Sequence, residues 1–152
     1  MTVVGVDPGL HGGIAVLTSG GLLQHAIQMP SGGGRILISE VCGYLSPWLE
    51  EGIDMVIIES VHSMPRQGVS STFTFGRAFG AIEGAIEALK IPQTGLTPQT
   101  WKRKLGLPTG DKDGARQFAQ RRWPDFDYWR TKSNGQAVAD AACIALAWIE
   151  RK

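Results

Sequence analysis

Three acidic residues are notable because each follows or lies within an apolar segment. Asp7 closes the run VVGV before a Pro-Gly pair, Glu59 closes the run MVII, and Asp140 lies within AVADAACIALA. An unpaired carboxylate in apolar surroundings is costly, and a divalent cation relieves that cost for several carboxylates together. Two such ions about 4 Å apart can clamp the attacking and leaving oxygens of a phosphodiester, so the trio indicates metal-dependent phosphodiester hydrolysis.

Each acid also has a simpler interpretation when it is considered alone. Asp7 before Pro-Gly is suited to shaping a turn, Glu59 to ending a strand at the surface, and Asp140 to pairing with a cation across a helix interface. The combination is more specific than any one of its members.

The elements that must position these acids alternate between strand and helix patterns. Strands are predicted at residues 2–7, 12–18, 22–29, 54–59 and 90–96. Helices are predicted at residues 35–50, 71–89, 97–105, 111–123 and 136–149, with Thr97 and Asp111 as N-caps. The order predicts an α/β fold with a mixed five-stranded sheet, in which three antiparallel strands are joined by parallel strands, and helices on both faces. No repeat or linker divides residues 1–152, which predicts one domain.

Composition limits the possible classes of protein. The chain has 152 residues and a net charge of +1, and Cys42 and Cys143 lie in apolar segments typical of reduced core cysteines. No apolar run reaches the length of about 18 residues that a bilayer span needs, and the N-terminus lacks the pattern of a signal peptide. A cytoplasmic protein without a membrane partner is therefore expected.

Basic residues are concentrated in the C-terminal half. Residues 101–130 hold eight of the fifteen Lys and Arg residues and four acids. A basic face beside an acidic pocket is typical of a nuclease, although charge alone favours an ordinary solvated surface.

Six segments, in order along nearly the whole chain, resemble the motifs of RuvC-type Holliday junction resolvases. They are VGVDPGLHGGIAV, VIIESVHSMP, STFTFGRAFGAIEGA, TPQTWKRKLGL, GDKDGARQFAQRRWP and VADAACIALA. The resemblance implies a ribonuclease H-like fold and a bacterial or phage-encoded homodimer that cuts four-way DNA junctions with two Mg²⁺ or Mn²⁺ ions per site. It also implies that Asp7, Glu59 and Asp140 are the catalytic metal ligands, with Asp7 bridging both ions.

The sequence departs from the family pattern at one ligand. Members carry Asp or His three residues before the last Asp, and this chain has Ala137 there. The neighbouring Gln136 offers only a neutral amide oxygen and lies off that helical face. Either a water takes the place of this ligand, or another acid substitutes for it, or the activity is reduced.

The resemblance also suggests residues that contact DNA or a second subunit. Lys102, Lys104 and Lys112 are candidates for phosphate contacts, and His62, Met64 and Arg66 lie in the loop expected to reach the junction. Gly76, Gly80 and Gly84 recur every four residues on the helix expected to form the dimer, although a close contact within one chain fits the same spacing. His11 is left outside the catalytic set, since a loop histidine is more often incidental.

Three other functions remain open at this level. A nuclease for flaps or forks fits the same carboxylates, and a catalytically weakened junction-binding protein fits the loss at Ala137. A fragment of a sugar kinase or ATPase shares the D-x-G strand end, but it needs two such domains and more phosphate-binding glycine loops than 152 residues hold.

Overall fold

The structure, a computed structural model, describes residues 1–61, 66–108 and 110–150. The strands are β1 (Thr2–Asp7), β2 (Gly13–Thr18), β3 (Leu23–Gln28), β4 (Ser31–Gly32), β5 (Arg35–Ile36), β6 (Ile53–Glu59) and β7 (Gln93–Leu96). The helices are α1 (Ile38–Glu51), α2 (Val69–Ala88), α3 (Pro98–Lys104), α4 (Gly114–Arg122) and α5 (Lys132–Ile149), with a 3₁₀ turn at Asp127–Trp129 before the last.

The main sheet has five strands in the order β3-β2-β1-β6-β7. β1, β2 and β3 form an antiparallel meander. β6 pairs parallel to β1 on the other side, and β7 pairs parallel to β6. This mixed five-stranded sheet confirms the predicted architecture.

Alternate residues of the central strands enter two separate cores. Val4, Val6 and Ile58 pack against apolar residues of α1 and α2. Val3 and Ile57 pack on the opposite face against α4 and α5. Both faces of the sheet are therefore covered by helices, which explains why β1 and β6 are almost continuously apolar.

Glycine allows α5 to lie directly on the sheet. A Cβ atom at Gly5 would overlap the carbonyl oxygen of Ala141, and one at Gly13 would come within 2.9 Å of the carbonyl oxygen of Ala137. Small side chains on α5 continue this close approach, since residues 141–147 are all buried. The contact sets the position of α5 over β1 and β2.

Three helix starts differ from the sequence prediction by three or four residues. α5 begins at Lys132 rather than at residue 136, because Thr131 accepts a hydrogen bond from the N–H of Asn134 and caps the helix there. α1 begins at Ile38 rather than at residue 35, because β4 and β5 form a small hairpin before it. The prediction that Asp111 caps α4 is wrong: its carboxylate accepts from the N–H of Asp113, and the helix begins at Gly114.

Other local predictions are confirmed. Thr97 caps α3 by accepting from the N–H of Thr100, and Pro98 occupies the first turn. Within the described ranges, no helix is both long enough and apolar enough to span a bilayer.

Candidate active site

Asp7 and Glu59 end two neighbouring parallel strands. The last pair of the β1–β6 ladder joins Val6 to Ile58, so the next residue of each strand is the acid. Side chains alternate along a strand, and Asp7 therefore shares its face with Gly5, while Glu59 shares its face with Ile57. Ile57 packs in the α5-side core, so both carboxylates face the side that α5 covers.

Asp140 reaches the same place from α5. The helix contacts the sheet through the backbone of Ala137 at Gly13 and of Ala141 at Gly5. Asp140 lies between these two contacts along the helix, and it lines one cleft together with Asp7 and Ala137. The close approach at the glycines is therefore what brings Asp140 to the end of β1.

Burial raises the pKa of all three carboxyl groups, and repulsion adds to this at Asp7 and Asp140. Burial and then repulsion from Glu59 raise the pKa of Asp7 to about 7, against a smaller lowering by the hydrogen bond from the backbone of Gly9. Burial followed by repulsion from Asp7 and Glu59 raises the pKa of Asp140 to about 8. Burial also raises the pKa of Glu59. A cluster of this kind favours either protons or a cation.

Trp101 and Lys102 are the neighbours that oppose this repulsion. The indole N–H of Trp101 donates to Oε1 of Glu59 at 2.9 Å. The Lys102 ammonium lies 5.2 Å from the centre of the Trp101 ring, and its charge lowers the pKa of Glu59 and Asp140. Among the described residues, none of the three acids forms a direct salt bridge.

The donor set suits a hard divalent cation, but not a protein cage around one ion. In the part of the chain that the structure describes, no three Asp, Glu, His or Cys side chains converge as a group that holds a metal. Mg²⁺ is commonly held by one or two carboxylates, with waters and substrate phosphate completing its shell. Asp7 and Asp140, which line one cleft, and Glu59, which ends the neighbouring strand, fit that mode of binding.

The cleft itself contains residues that the sequence analysis set aside or missed. Besides Asp7, Ala137 and Asp140, it is lined by His11, Lys132, Ser133 and Gln136. The Gln136 side-chain amide donates to the backbone carbonyl of Lys112. Lys132 and Ser133 were missed because the start of α5 was predicted four residues too late. The methyl group of Ala137 lies where the family pattern has a ligand.

Trp101 was missed although the sequence carries a signal for it. Trp101 is fully buried, at 0% exposure, and a buried indole N–H requires an acceptor. The unpaired acids of the chain were the strongest acceptors available, but the sequence could not indicate which of them Trp101 reaches.

The predicted DNA-contact residues differ in their exposure and in the groups that they contact. Lys102 is half-buried, and its charge acts on Glu59 and Asp140. Lys104 donates to the carbonyl of Ala147 at 3.2 Å, and Lys112 and Arg66 are exposed. His62 and Met64 lie outside the described residues.

The glycine row on α2 faces outward. A Cβ atom at Gly76, Gly80 or Gly84 would meet no atom within 4 Å. Val69 and Phe73 near the start of the helix are 88% and 69% exposed. Within the described residues the row therefore makes no close contact inside this chain, and that alternative for the glycine spacing is wrong.

Comparison with known proteins identifies the fold. Neither a family model nor a curated protein sequence matches the chain. A structure of Thermus thermophilus RuvC in complex with a Holliday junction substrate is 20% identical, with a TM-score of 0.68, and the match covers 97% of this chain and 91% of that one. A complex of the fowlpox virus resolvase with Holliday junction DNA is 17% identical, with a TM-score of 0.63, covering 99% and 97% of the two chains. The chain thus has the ribonuclease H-like fold of the RuvC and poxvirus Holliday junction resolvases.

Proposed function

We propose that this chain is a metal-dependent endodeoxyribonuclease that resolves four-way DNA junctions by paired, symmetric hydrolysis of phosphodiester bonds. The observation that carries the proposal is the placement of three half-buried carboxylates at the ends of β1 and β6 and on α5, where Asp7 and Glu59 together raise the pKa of Asp140. The support from structural neighbours is that similar folds have been seen bound to Holliday junctions.

In this proposal Asp7, Glu59 and Asp140 hold two Mg²⁺ or Mn²⁺ ions. Bound divalent ions supply the positive charge that activates an attacking water and stabilises the departing 3′-oxygen. Asp7 would contribute to holding both ions, as the family resemblance implies. Glu59 would serve one ion and Asp140 the other.

Basic residues around the acids provide the contacts to DNA phosphates. Lys102 is assigned the phosphate nearest the reacting bond, because its charge already acts on Glu59 and Asp140. Lys112 and Arg66 are exposed and suit phosphates farther along the strands. Lys104 and His62 remain proposed contacts of the same kind.

The proposal includes a homodimer formed along α2. Gly76, Gly80 and Gly84 leave an open row in which the backbone of a partner helix fits closely, and exposed Val69 and Phe73 extend that face with apolar surface. Paired nicking of a junction needs two active sites, which a dimer of this single nuclease domain, residues 1–152, supplies.

A junction-binding protein with weakened catalysis is the second candidate. Ala137 lines the cleft beside Asp140 and contributes no oxygen or nitrogen ligand from its side chain. A cleft with one fewer protein ligand holds its ions less tightly, which favours this alternative at low metal concentration. A nuclease for flaps or forks is the remaining enzymatic alternative.

The test is cleavage of end-labelled DNA by the purified chain. A four-way junction, a fork and a linear duplex are each incubated with Mg²⁺ or with EDTA, using the wild type, Asp7→Asn and Asp125→Asn. Asp125 is an exposed acid and serves as the matched control. We expect paired symmetric nicks in the junction from the wild type and Asp125→Asn, and a loss of at least about a hundredfold in Asp7→Asn.

Other cleavage results would favour one of the alternative functions or refute the proposed one. Preferential cutting of the fork would favour the nuclease for other branched DNA. Junction binding without cutting in Mg²⁺ or Mn²⁺ would favour the weakened protein, and cutting that persists in EDTA or in Asp7→Asn would refute the metal-dependent site.

A further inference from the structure

We propose that Trp101 is the positioning residue of this site: its indole N–H fixes the orientation of the Glu59 carboxylate and so leaves the second oxygen available to a metal ion. The inference rests on the proposed function, since it concerns how the same carboxylate is prepared for a cation. It assigns a defined task to a residue that does not itself touch the ion or the DNA.

The contact joins two distant parts of the chain inside the core. Trp101 Nε1 lies 2.9 Å from Glu59 Oε1, across a sequence separation of 42 residues. Trp101 is fully buried among the residues that pack between the sheet and α5. A donor held this rigidly restricts the rotation of the carboxylate, because any other orientation leaves a buried N–H without its acceptor.

The same indole also positions a cation. The Lys102 ammonium lies 5.2 Å from the ring centre of Trp101, within the range of a cation–π interaction. Trp101 therefore holds Glu59 through its N–H edge and Lys102 over its face. Without the N–H, Glu59 gains freedom to turn toward Lys102, and a direct ion pair between them would compete with a divalent cation for the carboxylate.

Another buried tryptophan provides an internal comparison. Trp123 donates from Nε1 to the carbonyl of Gly21 at 3.1 Å and is 4% exposed. Gly21 follows the end of β2 that pairs with the start of β1, at the opposite end of these strands from Asp7. Trp101 and Trp123 thus lose a similar buried hydrogen bond on replacement by Phe, but only Trp101 loses one made to a carboxylate of the site.

The experiment compares Trp101→Phe with Trp123→Phe in the full chain. Mg²⁺ affinity is measured by calorimetric titration in the absence of DNA, and stability by thermal unfolding in EDTA. We expect both variants to be less stable than the wild type. Only Trp101→Phe should bind Mg²⁺ more weakly, by about tenfold, as found for groups that orient metal ligands.

A spectroscopic readout on the wild type does not depend on the folding of Trp101→Phe. In ¹⁵N-labelled protein, Mg²⁺ should shift the indole N–H signal of Trp101 and leave that of Trp123 in place. Glu59→Gln should move the Trp101 signal in the absence of any metal, because the charged acceptor becomes neutral.

The outcomes separate this inference from the proposed function. If the wild type neither binds Mg²⁺ nor cuts DNA, the proposed function fails and the role of Trp101 fails with it. If the wild type binds and cuts but Trp101→Phe matches Trp123→Phe in Mg²⁺ affinity, only the positioning role is overturned. A Trp101 indole signal unchanged in Glu59→Gln would refute the hydrogen bond itself.

Discussion

At the scale of single residues, the site depends on a balance between repulsion and compensation. Burial raises the pKa of Asp7, Glu59 and Asp140, and repulsion adds to it at Asp7 and Asp140, whereas Lys102 and the Trp101 hydrogen bond act in the opposite direction. The Ala137 side chain carries no charge or hydrogen-bonding group that would raise or lower these pKa values, although it lines the cleft one helical turn before Asp140. We therefore expect a ligand introduced at this position to change how strongly the cleft attracts a cation.

Replacement of Ala137 by Asp is expected to strengthen metal binding. Positions three apart on a helix share a face, so the new carboxylate would lie beside Asp140 and add an oxygen ligand. We expect Ala137→Asp to lower the Mg²⁺ concentration for half-maximal junction cleavage by about tenfold, and to lower the stability of the metal-free chain by adding a like charge. The measurements are Mg²⁺ titrations of cleavage and thermal unfolding in EDTA.

Ala88→Asp is the control for this substitution. Ala88 is exposed at the end of α2, so the same charge is added away from the cleft, and no change in Mg²⁺ requirement is expected. An unchanged requirement in Ala137→Asp would mean that the side chain at this position does not reach the ions.

At the scale of elements, the sequence predicted correctly those strands whose apolar runs indicate burial. β1 and β6 are largely apolar and end in an acid, so one pattern predicted both the positions of the strands and the positions of Asp7 and Glu59. The start of α5 was not predicted, because its first turn, KSNG, has no apolar spacing and its cap at Thr131 precedes it. The β4–β5 hairpin has two residues in each strand, which is too short for a periodic signal.

The site shows the same division between local pattern and tertiary contact. Asp7, Glu59 and Asp140 were recognised because a charge in an apolar segment is visible in the sequence. The hydrogen bond from Trp101 to Glu59 and the lining of the cleft by His11 depend on which distant segments meet. The spacing of the glycines on α2 was also visible, but only the structure shows that the row faces outward.

A bulky cation in the glycine row is expected to abolish dimer formation. Gly80 is exposed with open space around it, so Gly80→Arg fits the folded monomer and would obstruct only a partner helix. We expect a monomer by analytical ultracentrifugation, with thermal stability within about 1 kcal/mol of the wild-type monomer and uncoupled nicking of the two junction strands. Gly43→Arg places the same residue at an exposed, open glycine of α1 and should leave the dimer intact. A wild-type chain that is monomeric, or a dimer that survives Gly80→Arg, would contradict the assignment of this face.

At the scale of the whole molecule, the acids make the fold and the metal site interdependent. The free energy of unfolding includes the cost of desolvating three half-buried carboxylates where β1, β6 and α5 meet. The same contact depends on Gly5 and Gly13, which let α5 approach the sheet. A condition that charges the acids without supplying a cation should therefore weaken the whole fold.

The metal-free chain is expected to lose stability as the pH rises from about 5 to about 8. The folded-state pKa of Asp7 is about 7 and that of Asp140 about 8, both above the ordinary value of 3.8. In this window the folded chain binds more protons than the unfolded chain, so its free energy of unfolding falls with pH, and the loss levels off above both pKa values. Thermal unfolding in EDTA should show the midpoint falling across the window, and saturating Mg²⁺ should restore most of the loss at pH 8 by binding only the folded state.

Two substitutions test which groups cause this pH dependence: one is expected to flatten the decline in stability, and the other to leave it unchanged. Asp140→Asn removes one buried charge, so it should flatten the decline in EDTA and reduce the stabilisation by Mg²⁺. Asp113 is paired with Arg116 at 2.6 Å, and the hydrogen bond from that guanidinium lowers the pKa of Asp113 to about 2. Asp113 is therefore already ionised across this window, and Asp113→Asn should lower stability equally at pH 5 and pH 8 while leaving the decline unchanged. A decline that persists in full in Asp140→Asn would place its origin outside the cleft.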